Sequence, residues 1–255
     1  MRAVIKVGTS TLAYESGRLN IRRVEELCKV ISDLKNAGHD VILVSSGAIG
    51  MGVGKLGLVS RPTDIPTKQA AAAVGQCELM YTYDRLFSMY NHTVAQILLT
   101  ASDVKVDDRH ENFRNTLNRL LSLGVIPIIN ENDTVATEEI VIGDNDTLAA
   151  IVAESANSDL LVLLSDIDGL YTADPHKDKN AVLIPEVTEL DGYVMSLGGE
   201  KGSSLGTGGM RTKLAAAKIS TEAGCDMVIA NGSDPNVLYD IVEKKPIGTR
   251  FVAKR

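Results

Sequence analysis

AVIKVGTS (Ala3–Ser10) is a short apolar run that closes on a glycine and two hydroxyl residues, with a single lysine inside it. Val and Ile without polar alternation mark a strand covered on both faces. Five more runs share this character: VILV (Val41–Val44), VAQILL (Val94–Leu99), VIPII (Val125–Ile129), LLVLL (Leu160–Leu164) and MVIA (Met227–Ala230). Helical patterns lie between them. One is capped by Asn20, runs to about Asn36 and is stopped by Gly38; others cover about Thr67–Asn91, Glu111–Leu123, Asn145–Ala156 and Gly208–Ala223. This alternation predicts an α/β three-layer sandwich, a mostly parallel central sheet with helices on both faces. Asp133–Gly143 reads as a hairpin and Ala181–Val187 as an edge strand. No linker divides the chain, so residues 1–255 read as one domain.

Composition narrows the function. The 255 residues are 44% hydrophobic and 23% charged, enough apolar surface for a proper core. Lys and Arg number 26 against 33 Asp and Glu, a net charge of −7, which argues against a nucleic-acid or membrane-surface binder. Any phosphate must therefore be held by a few placed cations and backbone amides. The longest unbroken apolar run, Leu148–Ala153, falls far short of the ~18 residues of a membrane span. Cys28, Cys77 and Cys225 are widely spaced and form no CxxC, which predicts reduced, buried, inert thiols in a cytoplasmic protein. His39, His92, His110 and His176 show no metal-ligand spacing, and no metal site is assigned.

Ligands of open α/β sheets bind beyond the carboxyl ends of the strands. The residues that follow the apolar runs are small or polar: Gly8-Thr9-Ser10, Ser45-Ser46-Gly47, Asn130-Glu131-Asn132-Asp133, Ser165-Asp166 and Asn231-Gly232-Ser233. Lys6 is anomalous inside a run buried on both faces. Either an anion pairs with it or it snorkels from an edge strand. GTGGMRTK (Gly206–Lys213) opens a helix with free amides and a positive dipole end, an anion site with Lys213 within reach. It lacks Walker A spacing, and GTSTLA after the first run is not GxGxxG. GDND (Gly143–Asp146) with Asn132-Asp133 offers carboxylates and amides for Mg²⁺, for a substrate ammonium, for orienting the lysines, or simply for capping the helix.

IKVGTS, VSSGAIGMG, TKQAAAAVGQ, NENDTVAT, GDNDTLAA, DIDGLYTADP and GTGGMRTK occur in this order, and the match runs from Lys6 to the GTRF (Gly248–Phe251) near the C-terminus. Together they resemble the glutamate 5-kinases of the amino acid kinase family. The resemblance implies an amino acid kinase-like fold and ATP-dependent phosphorylation of the L-glutamate side-chain carboxylate, giving γ-glutamyl phosphate on the way to proline. It implies ATP and Mg²⁺ as cofactors, the metal held mainly by the ATP phosphates. It points to Lys6 and Lys213 on the transferring phosphoryl group and to Asp146 as the residue that holds both lysines. Ser46, Asp133 and Asn145 would bind glutamate. Lys6, Ser165, Asp166, Thr207, Gly208, Gly209, Met210, Arg211, Thr212 and Lys213 would bind ATP, so the part before about residue 160 would be mainly glutamate-binding and the rest mainly ATP-binding. Gly50–Pro66 reads as a loop beside the substrate. The resemblance further implies a homo-oligomer, dimer or tetramer, with proline as a feedback inhibitor. Many bacterial relatives carry a C-terminal PUA domain, whereas this sequence ends at Arg255, just past the kinase domain. Two rival readings are a kinase of this architecture acting on another acceptor and a non-catalytic metabolite sensor built on it.

Overall fold

The computed structural model describes residues 1–14, 18–135, 145–175, 177–199 and 209–254. In chain order these form β1 (Arg2–Val7), α1 (Thr9–Leu12), α2 (Ile21–Asn36), β2 (Asp40–Ser45), α3 (Ala48–Leu56), α4 (Ile65–Ser88), β3 (Val94–Leu99), α5 (Ala101–Lys105), α6 (Asp107–Ser122), β4 (Ile126–Glu131), α7 (Asn145–Ser155), β5 (Leu160–Ser165), β6 (Glu186–Val187), α8 (Gly192–Ser196), α9 (Met210–Glu222), β7 (Asp226–Asn231), α10 (Val237–Val242) and β8 (Thr249–Phe251).

All strands join one sheet in the order β3-β4-β2-β1-β5-β7-β8-β6. The six strands read from the apolar runs lie side by side and run parallel; β8 turns antiparallel to β7, and β6 pairs parallel with β8. The connection from β1 leads to β2 on one side, while β5 continues to β7 on the other. The strand order thus reverses between β1 and β5, the position where open α/β sheets form a crevice at their carboxyl edge.

Period-two alternation sorts the side chains of β1 between two cores. Ala3, Ile5 and Val7 face the layer of α2 and α4, among Val24, Leu27, Ile31, Leu79, Tyr83 and Phe87. Val4 faces the opposite layer, with Leu148, Ala149 and Val152 of α7 and Leu214 and Ala217 of α9. Lys6 follows Val4 in the same phase, so the strand itself aims it at α7 and α9. The cap on α2 is as read: the Asn20 side chain accepts from the Arg23 amide at 3.2 Å.

Several expectations are corrected. Residues 48–56, within and just before the stretch read as a loop, form α3. Glycines at 50, 52 and 54 disfavour a helix in isolation, but packing decides here: a Cβ on Gly52 would lie 1.8 Å from the Ala71 carbonyl oxygen, and one on Gly75 would lie 1.8 Å from that of Ala48. The two backbones touch only because both positions lack side chains. Gly47, at φ +108°, turns the chain from the end of β2 into α3, a conformation that glycine adopts without strain. Cys28 and Cys225 are buried, but Cys77 is exposed, because it lies on the face of α4 turned away from the sheet. Helix α6 starts at Asp107 rather than near Glu111, its first turn carrying Asp107 and Asp108 where the helix dipole favours negative charge. The edge strand is only Glu186–Val187. Pro185 has no N–H to extend the ladder, and Leu183 makes an isolated bridge to Tyr171. Of the expected hairpin, residues 136–143 lie outside the described residues, and Asp133–Val135 form a turn. No described helix is long and apolar enough to cross a membrane.

Candidate active site

Residues of three elements converge at the carboxyl edge beside the strand reversal. Asp146, in the first turn of α7, is fully buried. Its Oδ1 lies 2.6 Å from Lys6 Nζ of β1, and its Oδ2 lies 3.0 Å from Lys213 Nζ of α9. Both lysines are themselves buried. Thr212 Oγ1 approaches the same Oδ2 at 3.3 Å. Burial alone would raise the Asp146 carboxyl; the charges of Lys6 and Lys213 and their hydrogen bonds outweigh it and hold the group below its ordinary value. Two cations around one carboxylate leave this buried cluster with a net charge of +1, a standing attraction for an anion. Gly8 lies over Lys6: a Cβ there would come within 3.6 Å of Nζ.

A second group forms beside the first. Asn145 Nδ2 donates to Ser46 Oγ at 2.7 Å and to Asn130 Oδ1 at 2.9 Å. Asn130 Nδ2 donates to Gln76 Oε1 at 3.0 Å, and Gln76 Nε2 donates to Gln96 Oε1 at 3.1 Å. This amide chain runs from the mouth of the site through the sheet to α4 and the edge strand β3. Asp133 lies in the turn after β4 and hydrogen-bonds to neither Ser46 nor Asn145. Burial raises its carboxyl above the usual carboxylate range, and the Arg61 charge only partly opposes this. Among the described residues only the Arg61 charge opposes the burial of this half-buried carboxylate, which suits it to receive a cationic group. A third group, at the end of β5, is the buried Ser165 donating to the exposed Asp166 at 3.1 Å.

The expected site residues among those described thus fall into three clusters along one sheet edge. Gly209 is the N-cap of α9, and Met210, Arg211, Thr212 and Lys213 form its first turn, with Arg211 exposed. Thr207 and Gly208 lie outside the described residues. Sequence reasoning assigned no role to Asn130 or Gln76. The helical face Ala72, Gln76, Leu79, Tyr83 would have marked Gln76 as a buried polar residue among apolar ones.

The pattern defining the amino acid kinase family matches residues 1–231, a span that contains the whole cluster. The chain belongs to the amino acid kinase family. This amino acid kinase is 50% identical over 258 residues to the glutamate 5-kinase of Clostridium perfringens, covering 100% of this chain and 96% of that protein. It is 54% identical over 250 residues to the glutamate 5-kinase of Clostridium tetani, covering 98% and 94%. Solved structures similar in fold include carbamate kinase from Giardia lamblia bound to AMP-PNP, with TM-score 0.71 and 18% identity over 99% of this chain and 98% of that one. Another is UMP kinase from Bacillus anthracis, with TM-score 0.68 and 16% identity over 100% and 96%. Those identities bear on the fold alone.

Proposed function

We propose that this amino acid kinase transfers the γ-phosphoryl group of ATP to the side-chain carboxylate of L-glutamate, forming γ-glutamyl phosphate in the first step of proline biosynthesis. The observation that carries the mechanism is the Lys6–Asp146–Lys213 cluster at the strand reversal. A carboxylate with a reference pKa near ~4.3 is already ionised at neutral pH, so it needs no general base. The obstacle is the approach of an anion to a polyanion. In this reading Lys6 and Lys213 neutralise the equatorial oxygens as one glutamate oxygen bonds to phosphorus and the bond to the ADP oxygen breaks. Catalysis is then positioning and charge stabilisation, with Asp146 as organiser.

In this reading the residues before about 160 form the acceptor half, with Ser46, Asp133 and Asn145 on glutamate. The later residues form the nucleotide half, with Ser165, Asp166 and the start of α9 on ATP. The ATP phosphates themselves would hold Mg²⁺, which would supply further neutralisation there. The Asp146 oxygens face the two lysines, an arrangement that fits an orienting carboxylate rather than a metal ligand. A hydroxylamine trap tests the assignment. Protein and Mg·ATP with glutamate should give a coloured hydroxamate, while aspartate, N-acetylglutamate and no acceptor should not. Colour with a different acceptor would rename the substrate, and ATP binding without colour would leave a sensor.

Asp133 supplies a prediction with a pH signature. If its carboxylate meets the substrate ammonium, Asp133→Ala raises the KM for glutamate about 10- to 100-fold, the usual worth of a charged hydrogen bond, with far less effect on the KM for ATP. Because its carboxyl is raised in the folded protein, it protonates first as pH falls, whereas Asp146 is held low. The KM for glutamate should therefore climb on acidification, beginning above the ordinary carboxylate range, while the lysine cluster remains charged. Parallel pH profiles for both substrates would count against this placement.

A further inference from the structure

Gln76 lies on α4, away from the residues expected to touch substrate, and the amide chain reaches it from the direction of the acceptor pocket before ending on Gln96. The polarity of that chain follows from one group that cannot reverse. The Glu131 backbone N–H can only donate, and it donates to Asn130 Oδ1 at 2.9 Å. The Asn130 oxygen is thereby pinned, and its Nδ2 must point the other way, to Gln76 Oε1. Asn145 meets the same pinned oxygen and can do so only through Nδ2. Its second N–H goes to Ser46 Oγ. Both Asn145 donors are then engaged, which leaves Oδ1 as its acceptor. Ser46 Oγ, already accepting, must direct its own O–H elsewhere. One end of the chain therefore presents a hydroxyl donor beside an amide acceptor, the complement of a carboxylate and an ammonium on one carbon.

We propose that Gln76 is a positioning residue for the α-amino-acid end of the acceptor, acting through Asn130 and Asn145; this rests on the glutamate reading above. Gln76 and Asn130 are both buried, so without an acceptor at position 76 the Asn130 N–H₂ loses its partner among the described residues. Turning the Asn130 amide over would bring its N–H₂ against the Glu131 N–H and the Asn145 N–H₂, donors facing donors. The amide is left with no satisfied orientation, and the loss passes to Asn145 and Ser46. Gln96 completes the chain from the exposed edge strand, where water can replace it, so the requirement is concentrated on Gln76.

The test is Gln76→Met, similar in length but unable to accept a strong hydrogen bond. The KM for glutamate should rise about tenfold or more, as for a lost buried hydrogen bond, while kcat and the KM for ATP change less than about threefold. In the hydroxamate trap, preference for glutamate over glutarate, which lacks the ammonium, and over 4-aminobutyrate, which lacks the α-carboxylate, should narrow. An unchanged KM for glutamate in the folded variant overturns the proposal. So does a joint shift of kcat and both KM values with a lowered Tm, the mark of a merely structural role. Wild-type protein that forms no hydroxamate from glutamate overturns the glutamate reading itself, and this role with it. Should Gln76→Met not fold, neutron diffraction from the deuterated wild-type protein decides the polarity. Deuterium on Asn145 facing Asn130 supports the proposal, and an Asn145 oxygen facing Asn130 overturns it.

Discussion

Lys213→Ala is expected to lower kcat by about 10²–10³ while leaving the protein folded, and Lys6→Ala should do the same. On the proposed mechanism the rate loss follows from removing one of two cations that neutralise the transferring phosphoryl group. Retention of the fold follows from the charge count in the cluster. With both lysines the buried site carries +1; with one it becomes a neutral ion pair at 2.6 or 3.0 Å. Asp146→Ala goes the opposite way. It strips the counter-charge from two neighbouring buried cations, and breaking a buried pair from one side costs about 3–5 kcal/mol. For a chain of this length that lowers Tm by about 6–20 °C, in addition to the loss of turnover. Steady-state kinetics and thermal unfolding of the three variants check the pattern. A lysine variant with wild-type turnover would remove that lysine from the transfer step, and an Asp146→Ala protein as stable as wild type would refute the charge argument.

Gly75→Ala should be the most damaging of the single-methyl additions considered. In an exposed helix that change stabilises by about 1 kcal/mol. Here the new Cβ would lie 1.8 Å from the Ala48 carbonyl oxygen and 2.4 Å from the Gly52 nitrogen, both backbone atoms of α3. Backbone cannot step aside as a flexible side chain can, so α3 and α4 must separate. Overpacking costs of about 3 kcal/mol or more are reasonable for such a contact, equivalent to a Tm lowered by about 6–12 °C. Gly192→Ala, where nothing lies within 4 Å of the added carbon, is the control and should leave Tm essentially unchanged. Activity should suffer as well, because α3 follows directly on Ser46 and Gly47 at the mouth of the proposed acceptor pocket. A Gly75→Ala protein melting with the wild type would show that the two helices pack less closely than described.

The parallel sheet was legible because its signal is local. Six apolar runs without alternation can hardly be anything but strands covered on both faces, and the small or polar residues after five of them marked the proposed site before any contact was known. Helix α2 was legible for the same reason, since Asn20 and Gly38 punctuate it. Helix α3 was not. Its glycines argue against a helix by propensity, and their purpose appears only when Gly52 and Gly75 are seen against the facing backbone. The exposure of Cys77 was likewise hidden, because an alanine-rich helix gives few clues to which face meets the sheet.

By itself the sequence determined the layer architecture, and it marked the carboxyl edge of the sheet, with its lysines, carboxylates and amides, as the proposed site. Only the tertiary structure decided which of them act together. Lys6, Asp146 and Lys213 are separated by up to 207 positions and lie on a strand and two helices, and their meeting depends on the phase of β1 and the seating of α7 and α9 on one face of the sheet. The direction of the amide chain from Gln76 to Ser46 was set in the same way, by a backbone N–H at Glu131 whose orientation the sheet imposes. Residue types are local and can be read one at a time. Charge pairing and hydrogen-bond polarity are properties of atoms within about 3 Å of one another, and only folding brings those atoms together.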